Sequence, residues 1–140
     1  MKKDQKQKAS SIGTIHAHRF HEDERRRGFY DIVPGLPGDM NFSHMQAGII
    51  AGMHMHKKQT DYFTVASGSV LFRLVTEDGK EERVVLSSHS NKTLVIPPGV
   101  WHGYKSLEAS TLLFYIDQKF NLDDELRKPT KPSDWDIPIK

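Results

Sequence analysis

The 140-residue chain contains no cysteine, which excludes disulfide bonds and thiolate chemistry. It also lacks a long hydrophobic segment, because its longest unbroken apolar run, residues 112–116, is far too short to cross a bilayer. No apolar stretch follows the basic N-terminus, so no signal peptide is indicated. These absences predict a cytoplasmic protein that has no membrane partner.

An excess of charge of one sign is also missing, since 20 basic and 18 acidic residues leave a formal net charge of +2. Such a small net charge predicts no general affinity for nucleic acid. The positive charge is local, in a lysine-rich N-terminus and in the run Arg25, Arg26 and Arg27. We expect residues 1–11 to be a disordered basic tail. The arginine run is either an exposed turn or a phosphate-binding group.

The chain does contain many short β-rich segments, which are separated by glycine, proline and polar turns. Its length predicts a single domain, residues 12–140. Many short strands with such turns are typical of an all-β sandwich or barrel. Strands are predicted near residues 12–20, 28–33, 42–55, 61–67, 69–76, 82–87, 92–96, 100–106 and 110–118.

The C-terminal region differs from the rest of the chain in its pattern. A short helix is predicted at residues 122–127, with Asn121 as its N-cap, acidic residues in its first turn and Pro129 after its end. We expect residues 132–138 to be extended and to pack on the barrel through Trp135.

Two motifs carry most of the functional information. The first, residues 48–68, is bracketed by glycines and contains His54 and His56, followed by Asp61. The second, P-P-G-V-W-H, ends at His102. Both resemble the signature motifs of the cupin superfamily, with aspartate in place of glutamate among the ligands. The resemblance implies a jelly-roll barrel (a double-stranded β-helix) with a metal-capable pocket, whose ligands would be His54, His56, Asp61 and His102.

Side-chain periodicity supports a single pocket. Residues two apart in a strand share a face, so His54 and His56 point the same way while Met53 and Met55 point the other way. Barrels of this size often hold one small ligand in their interior. The predicted lining of the pocket consists of His54, His56, Asp61, His102 and Tyr115.

The remaining histidines are predicted to be structural or exposed. His16 and His18 have the same spacing as the pair in the first motif, but no acid or second motif accompanies them. The same interpretation applies to His21, His44 and His89. Imidazole and carboxylate ligands at the motif positions would suit Fe(II), Mn(II), Zn(II) or Ni(II).

Three stretches carry a narrower resemblance. They are RGFYD from Arg27, QAGIIAGMHMHKKQTDYFTV from Gln46, and IPPGVWHGY from Ile96. Together they resemble the dTDP-4-dehydrorhamnose 3,5-epimerases from about residue 20 onward, and most of all a short branch with a similar HKKQTDYF segment. The resemblance implies an epimerase or isomerase that acts on a nucleotide-activated 4-keto sugar in polysaccharide biosynthesis. It also implies a homodimer.

The resemblance assigns roles to individual residues. His54 matches the catalytic base that removes a proton next to the C4 ketone, and His102 matches a second pocket histidine. Tyr115 matches the general acid, and Arg27 matches an arginine that helps to bind the nucleotide diphosphate. Further candidates for substrate binding are Phe29, Trp101 and Tyr104, with packing as the alternative for the last two.

The sequence departs from the family pattern at the site. Ala51 replaces an arginine, Asp61 replaces a lysine and His56 replaces a glutamine. Two cationic groups are lost, and a divalent metal would restore the missing positive charge as an electrophile. If His54 bound that metal, however, it would not be a free base, and Tyr115 or a metal-bound hydroxide would take its role.

Two alternatives to the epimerase therefore stay open at this point. One is a metal-dependent cupin enzyme of another reaction type, such as an Fe(II) oxygenase. The other is a non-catalytic cupin that binds carbohydrate.

Overall fold

The computed structural model describes residues 8–9 and 12–136. Two short 3-10 helices, Leu122–Asp124 and Pro132–Trp135, lie near the C-terminus. Among the described residues, no helix has the length and apolar character that a membrane span requires. The strands are β1 (Lys8–Ala9), β2 (Thr14–Ile15), β3 (Arg19–Glu22), β4 (Arg26–Tyr30), β5 (Asp39–Met45), β6 (Ile50–His56), β7 (Asp61–Ser67), β8 (Ser69–Val75), β9 (Glu81–Ser87), β10 (Leu94–Ile96), β11 (Trp101–Ser106), β12 (Ser110–Ile116) and β13 (Glu125–Arg127).

Two antiparallel sheets face each other across one core. The six-stranded sheet has the order β10-β7-β12-β5-β4-β3, and the five-stranded sheet has the order β13-β6-β11-β8-β9. The predicted all-β jelly-roll barrel is thereby confirmed. Alternate residues of the strands point inward, where apolar side chains stabilise the fold by burial. The buried residues of this core are Met45, Phe63, Val65, Val70, Phe72, Leu86, Ile96 and Leu112.

A β-bulge in β6 determines which way the side chains of the first motif point. His102 of β11 pairs with His54, but Gly103 pairs with Gly52, so Met53 is an extra residue on β6. Met53 packs outside the sheet against Trp135, and His54 therefore faces inward. A glycine is required at position 52, because φ is 115° and a Cβ would lie 2.7 Å from the Cα of Gly103.

The predicted C-terminal helix is wrong beyond Asp124. Asn121 does cap a helical turn, and its side chain accepts a hydrogen bond from the amide of Asp123. The next residues, Glu125–Arg127, instead form β13 and pair with β6. The reason lies in the tertiary structure. The outer edge of β6 has backbone groups that need hydrogen-bond partners, and residues 125–127 provide them by pairing as an additional strand.

The C-terminal segment also differs from its prediction. Trp135 is completely buried, as expected, but it belongs to a 3-10 helix rather than to an extended segment. Of the predicted disordered tail, residues 1–7 and 10–11 lie outside the described residues. Lys8–Ala9, inside that tail, pairs with Thr14–Ile15 as a small separate sheet.

Candidate active site and metal centre

Three of the four predicted ligands lie together inside the barrel. His56 ends β6, Asp61 begins β7 and His102 lies on β11. The three residues are 6%, 5% and 5% exposed, and their potential ligand atoms lie within 4.8 Å of one another. Two imidazoles and one carboxylate in this arrangement could hold a divalent metal ion. The fourth predicted ligand, His54, does not belong to the group.

The hydrogen bonds of His102 fix which of its nitrogens faces the group. Its Nδ1 lies 3.0 Å from the carbonyl oxygen of Val100, which can only accept, so Nδ1 carries a proton. Nε2 lies 3.1 Å from Oδ2 of Asp61. If the ring were neutral, the lone pair of its Nε2 would face a carboxylate oxygen of Asp61, which can only accept. Either an imidazolium or a shared cation removes that repulsion, and a ring anchored to a backbone carbonyl is typical of metal ligands.

His56 is oriented by a carboxylate that the sequence did not indicate. Its Nε2 lies 3.1 Å from Oε1 of Glu125, so this nitrogen donates. Nδ1 then accepts from the side-chain amide of Gln59 at 3.5 Å and lies 3.7 Å from Oδ1 of Asp61. Burial disfavours the charged ring, but the hydrogen bond to Glu125 and the charge of Asp61 together raise the pKa of His56. The same hydrogen bond, opposed by burial, lowers the pKa of Glu125 to about 2.

The loop between two of the ligands is held by Asp124. Its carboxylate accepts hydrogen bonds from the backbone amides of Lys57, Lys58 and Gln59. The side chain of Gln59 in turn donates to Oδ1 of Asp61 at 2.6 Å. Adjacent acidic residues of the C-terminal segment thus position the loop and, through Glu125, the ring of His56.

His54 lies beside the group but makes different contacts. Its ring centroid is 6.5 Å from that of His102, and among the described residues its ring forms no hydrogen bond. Burial lowers its pKa to about 4; the charge of Glu125 opposes this shift, and a smaller effect of His102 adds to it. The ring is therefore neutral at physiological pH. His54 lies outside the group of His56, Asp61 and His102, so a metal ion held by those three residues would leave His54 as a free base.

Strand β13 also places a cation at this site. Arg127 pairs in register with His54, and its Nε donates to Oε2 of Glu125. The side chain remains 63% exposed, so most of the guanidinium is accessible. Sequence reasoning missed Asp124, Glu125 and Arg127, which lie far from both motifs in the chain.

The prediction that Tyr115 lines the pocket is wrong. Leu112 and Phe114 are the β12 residues that pack in the core, so Tyr115 lies on the opposite face of the sheet. Its hydroxyl accepts a hydrogen bond from the amide of Gly38, and its ring lies 5.9 Å from that of Tyr62.

The structure does not bring Arg27 and Phe29 to the inner face either. Phe29 stacks on Phe42 outside the six-stranded sheet at a centroid distance of 4.7 Å, and the guanidinium of Arg27 lies over its ring. The inward arginine is the preceding residue, Arg26, whose Nη1 donates to the hydroxyl of Tyr104 at 3.2 Å.

The two aromatic residues of the second motif face opposite sides of β11. Trp101 packs outside the five-stranded sheet with the cluster of Trp135, under the ammonium group of Lys128 at 4.4 Å. Packing is therefore the role that its contacts indicate. Tyr104 points inward against the core, and burial raises the pKa of its phenol.

Comparisons with known proteins extend the sequence resemblance. A family model described as dTDP-4-dehydrorhamnose 3,5-epimerase matches residues 19–140. The spore coat polysaccharide biosynthesis protein SpsL of Bacillus subtilis is 32% identical over 109 residues, which are 71% of this chain and 69% of that protein. A dTDP-4-dehydrorhamnose 3,5-epimerase of Mycobacterium tuberculosis is 27% identical, and the match covers 70% of this chain and 55% of that enzyme.

Among solved structures, the capsular polysaccharide assembling protein CapF of Staphylococcus aureus has a similar fold, with a TM-score of 0.73. The sequences are 19% identical, and the match covers 80% of this chain but 32% of CapF. The chain thus spans just over half of the mycobacterial epimerase and about a third of CapF. Since the family model matches almost the whole described chain, the protein belongs to the dTDP-4-dehydrorhamnose 3,5-epimerase family.

Proposed function

We propose that the protein is an epimerase or isomerase of a nucleotide-activated 4-keto sugar in polysaccharide biosynthesis. Family membership supports the substrate class, and the naming of SpsL supports the biosynthetic setting. The observation that carries the proposal is the position of His54. Its ring makes no hydrogen bond with the described residues, lies on the inner face of the barrel and is adjacent to a buried polar group.

In this proposal His54 is the general base. A free ring nitrogen accepts the proton from the carbon next to the ketone, which leaves an enolate whose oxygen needs positive charge nearby. Arg127, opposite His54 in register, supplies an accessible guanidinium for that purpose. Tyr115 is not part of the proposal, because its hydroxyl is engaged with Gly38 outside the barrel.

The buried group would hold a divalent metal through His56 Nδ1, Asp61 and His102 Nε2. The donor set fits Fe, Mn, Zn or Ni, and each imidazole has its other nitrogen anchored to an acceptor, as metal-ligating histidines do. Such an ion would supply Lewis acidity for a carbonyl oxygen. In this arrangement Glu125 positions His56, and Asp124 positions the loop that leads to Asp61.

Solvent isotope exchange tests the proposal. The protein is incubated in deuterium oxide with a dTDP-4-keto-6-deoxy sugar, and proton NMR follows the carbons that flank the ketone. We expect deuterium incorporation with the wild-type protein and about 10²- to 10⁴-fold slower incorporation with His54→Asn. Exchange at an unchanged rate in the variant contradicts the assignment of the base, and binding without exchange in the wild-type protein indicates a carbohydrate-binding role.

A metal enzyme of another reaction type is the second candidate. The group of two histidines and one carboxylate favours it, because that ligand set is shared with non-haem Fe(II) oxygenases. Substrate-dependent oxygen uptake by the iron-loaded protein would identify such a reaction, and equal turnover under strict anaerobiosis would exclude it. The homodimer and the cytoplasmic location stay predictions from the sequence.

A further inference from the structure

Gln59 is a buried polar residue of the candidate site that has no role in the proposed function. It lies in the loop between β6 and β7 and is 5% exposed. Its Nε2 lies 2.6 Å from Oδ1 of Asp61 and 3.5 Å from Nδ1 of His56. The end of its side chain therefore contacts two of the three residues that could hold a metal ion.

The loop does not need this side chain to keep its shape. The backbone amide of Gln59 donates to Oδ2 of Asp124 at 3.2 Å, and that of Thr60 donates to Oδ1 of Asp117 at 3.0 Å. A leucine would fill a similar volume without burying an amide, whose transfer from water costs free energy unless its polar atoms have partners. The contacts of the amide, rather than the shape of the loop, are therefore what distinguishes a glutamine at this position.

The oxygen of this amide is the atom that lacks a partner. Both hydrogen bonds of the side chain are made by Nε2, and Oε1 accepts none from the described residues. A carboxamide keeps its shape in a half-turn that exchanges the two atoms. The half-turn would place Oε1 beside Oδ1 of Asp61 and Nδ1 of His56, which both accept. Three acceptors that face one another need a cation among them.

An amide oxygen also suits the chemistry of the centre. Side-chain carbonyl oxygens of glutamine ligate divalent ions, and two imidazoles with one carboxylate leave coordination positions open. As a neutral ligand, Gln59 would leave more positive charge at the centre than a second carboxylate would. That charge is what a Lewis acid needs to polarise a carbonyl oxygen.

We propose that Gln59 is a fourth metal ligand, which coordinates through Oε1 beside His56, Asp61 and His102. This role deepens the proposed function and rests on its metal centre. The motif spacing gave no reason to choose Gln59, because the period of two that relates strand residues does not extend into a loop. Its place next to the ligands comes from the hydrogen bonds that tie the loop to residues after β12.

The metal affinity of the purified full-length protein tests this assignment. Competition with a chromophoric chelator gives the affinities of the wild type, Gln59→Leu and Gln59→Glu for Zn(II) and Co(II). We expect Gln59→Leu to weaken binding about tenfold or more, because one ligand is lost. Gln59→Glu should bind at least as tightly as the wild type, because a carboxylate oxygen replaces the amide oxygen as the ligand.

The glutamate variant separates a ligand from a residue that only positions Asp61. If Gln59 only donated a hydrogen bond to Asp61, a second carboxylate there would repel the first, and Gln59→Glu would bind more weakly than Gln59→Leu. The absorption spectrum of the Co(II) protein is a second measure, because its d–d bands change with the number of ligands. We expect the spectrum of Gln59→Leu to differ from that of the wild type, and an unchanged spectrum would overturn the ligand role.

Gln118→Leu is the matched control. Gln118 is exposed, and its amide donates to the carbonyl oxygen of Lys58 in the same loop at 3.2 Å. We expect this variant to keep the affinity and the spectrum of the wild type. Equal weakening by Gln59→Leu and Gln118→Leu would indicate an effect on the loop and would overturn the ligand role. Wild-type affinity in Gln59→Leu would overturn it as well and leave a centre of three ligands.

Further outcomes separate this role from the proposed function. Gln59→Leu should keep its Tm in the presence of a chelator, because an apolar side chain replaces a buried amide; if it does not fold, Gln59→Met provides the same comparison. A wild-type protein that binds no metal would refute the centre and the role of Gln59 together, while isotope exchange by that protein would leave the epimerase standing. Metal binding that depends on Gln59, without isotope exchange, would refute the epimerase activity and leave the fourth ligand standing.

Discussion

The chain contains two H-x-H pairs with different surroundings. His54 and His56 lie on β6, between β11 and β13, where two carboxylates approach the ring of His56. His16 instead directs Nε2 to the backbone carbonyl of Asp31 at 2.8 Å. His18 is exposed and meets the rings of aromatic residues edge-on outside the six-stranded sheet.

The difference between the pairs shows what the spacing itself contributes. A spacing of two places both rings on one face only within a strand, as it does for His54 and His56 on β6. His16 and His18 lie between β2 and β3, outside any strand. Only the surroundings of the second pair add acids, burial and a third histidine from β11. The chemistry of a site of this kind therefore comes from strands that are distant in sequence, and the following variants test that conclusion.

The largest effect is expected at His54. His54→Asn should slow isotope exchange about 10²- to 10⁴-fold, because it removes the base, while metal content stays at the wild-type level. His18→Asn is the matched control and should leave the exchange rate unchanged. Rates come from proton NMR and metal content from mass spectrometry. Loss of metal in His54→Asn would place His54 among the ligands and would contradict the separation of roles.

His56→Ala should abolish stoichiometric metal binding, since it removes one of the ligands, and we expect affinity to fall by at least about 100-fold. His16→Ala, the corresponding change in the other pair, should retain all of the metal. A chelator should lower the Tm of the wild-type protein but not that of His56→Ala. A wild-type protein that is metal-free after growth and reconstitution with Fe, Mn, Zn and Ni would refute the metal centre.

Glu125→Gln should weaken metal binding about 10- to 100-fold, because the amide no longer provides a charged acceptor for Nε2 of His56. The exposed Glu82→Gln on β9 is the control. Competition with a chromophoric chelator measures both affinities. Equal affinities for wild type and Glu125→Gln would show that β13 does not influence the centre.

Asp124→Asn is expected to have the smallest effect, a loss of about 1–2 kcal/mol in the free energy of unfolding. The carboxylate accepts from three backbone amides of the loop, and an amide side chain accepts from them less strongly. The adjacent Asp123→Asn should change stability by less than about 0.5 kcal/mol. Urea denaturation compares the two variants, and an equal loss in both would exclude a specific role for Asp124 in the loop.

Much of the site could be predicted because it depends on local spacing. The two motifs located His56, Asp61 and His102, and the period of two placed His54 and His56 on one face. The same reasoning failed at Tyr115. Periodicity divides β12 into two sets of residues but does not say which set faces inward, and here the set with Leu112 packs in the core.

The C-terminal contribution could not be predicted for a related reason. A helix cap at Asn121 and acidic residues after it favour a helix locally, and the cap does form. Continuation into β13 depends on the free edge of β6, almost seventy residues earlier in the chain. Pairing with that edge satisfies backbone groups, and this long-range gain outweighs a weak local preference.

The sequence by itself determined the all-β class, the spacing of the ligands and the side chains that share a face, because a strand repeats every two residues regardless of its neighbours. The tertiary structure alone decided which face became the interior. Packing of the sheets placed Arg26 inside the barrel and Arg27 outside. Pairing of β13 with β6 brought Glu125 to His56. The physical reason is that burial and edge pairing depend on the sum of contacts between strands, which no single strand encodes.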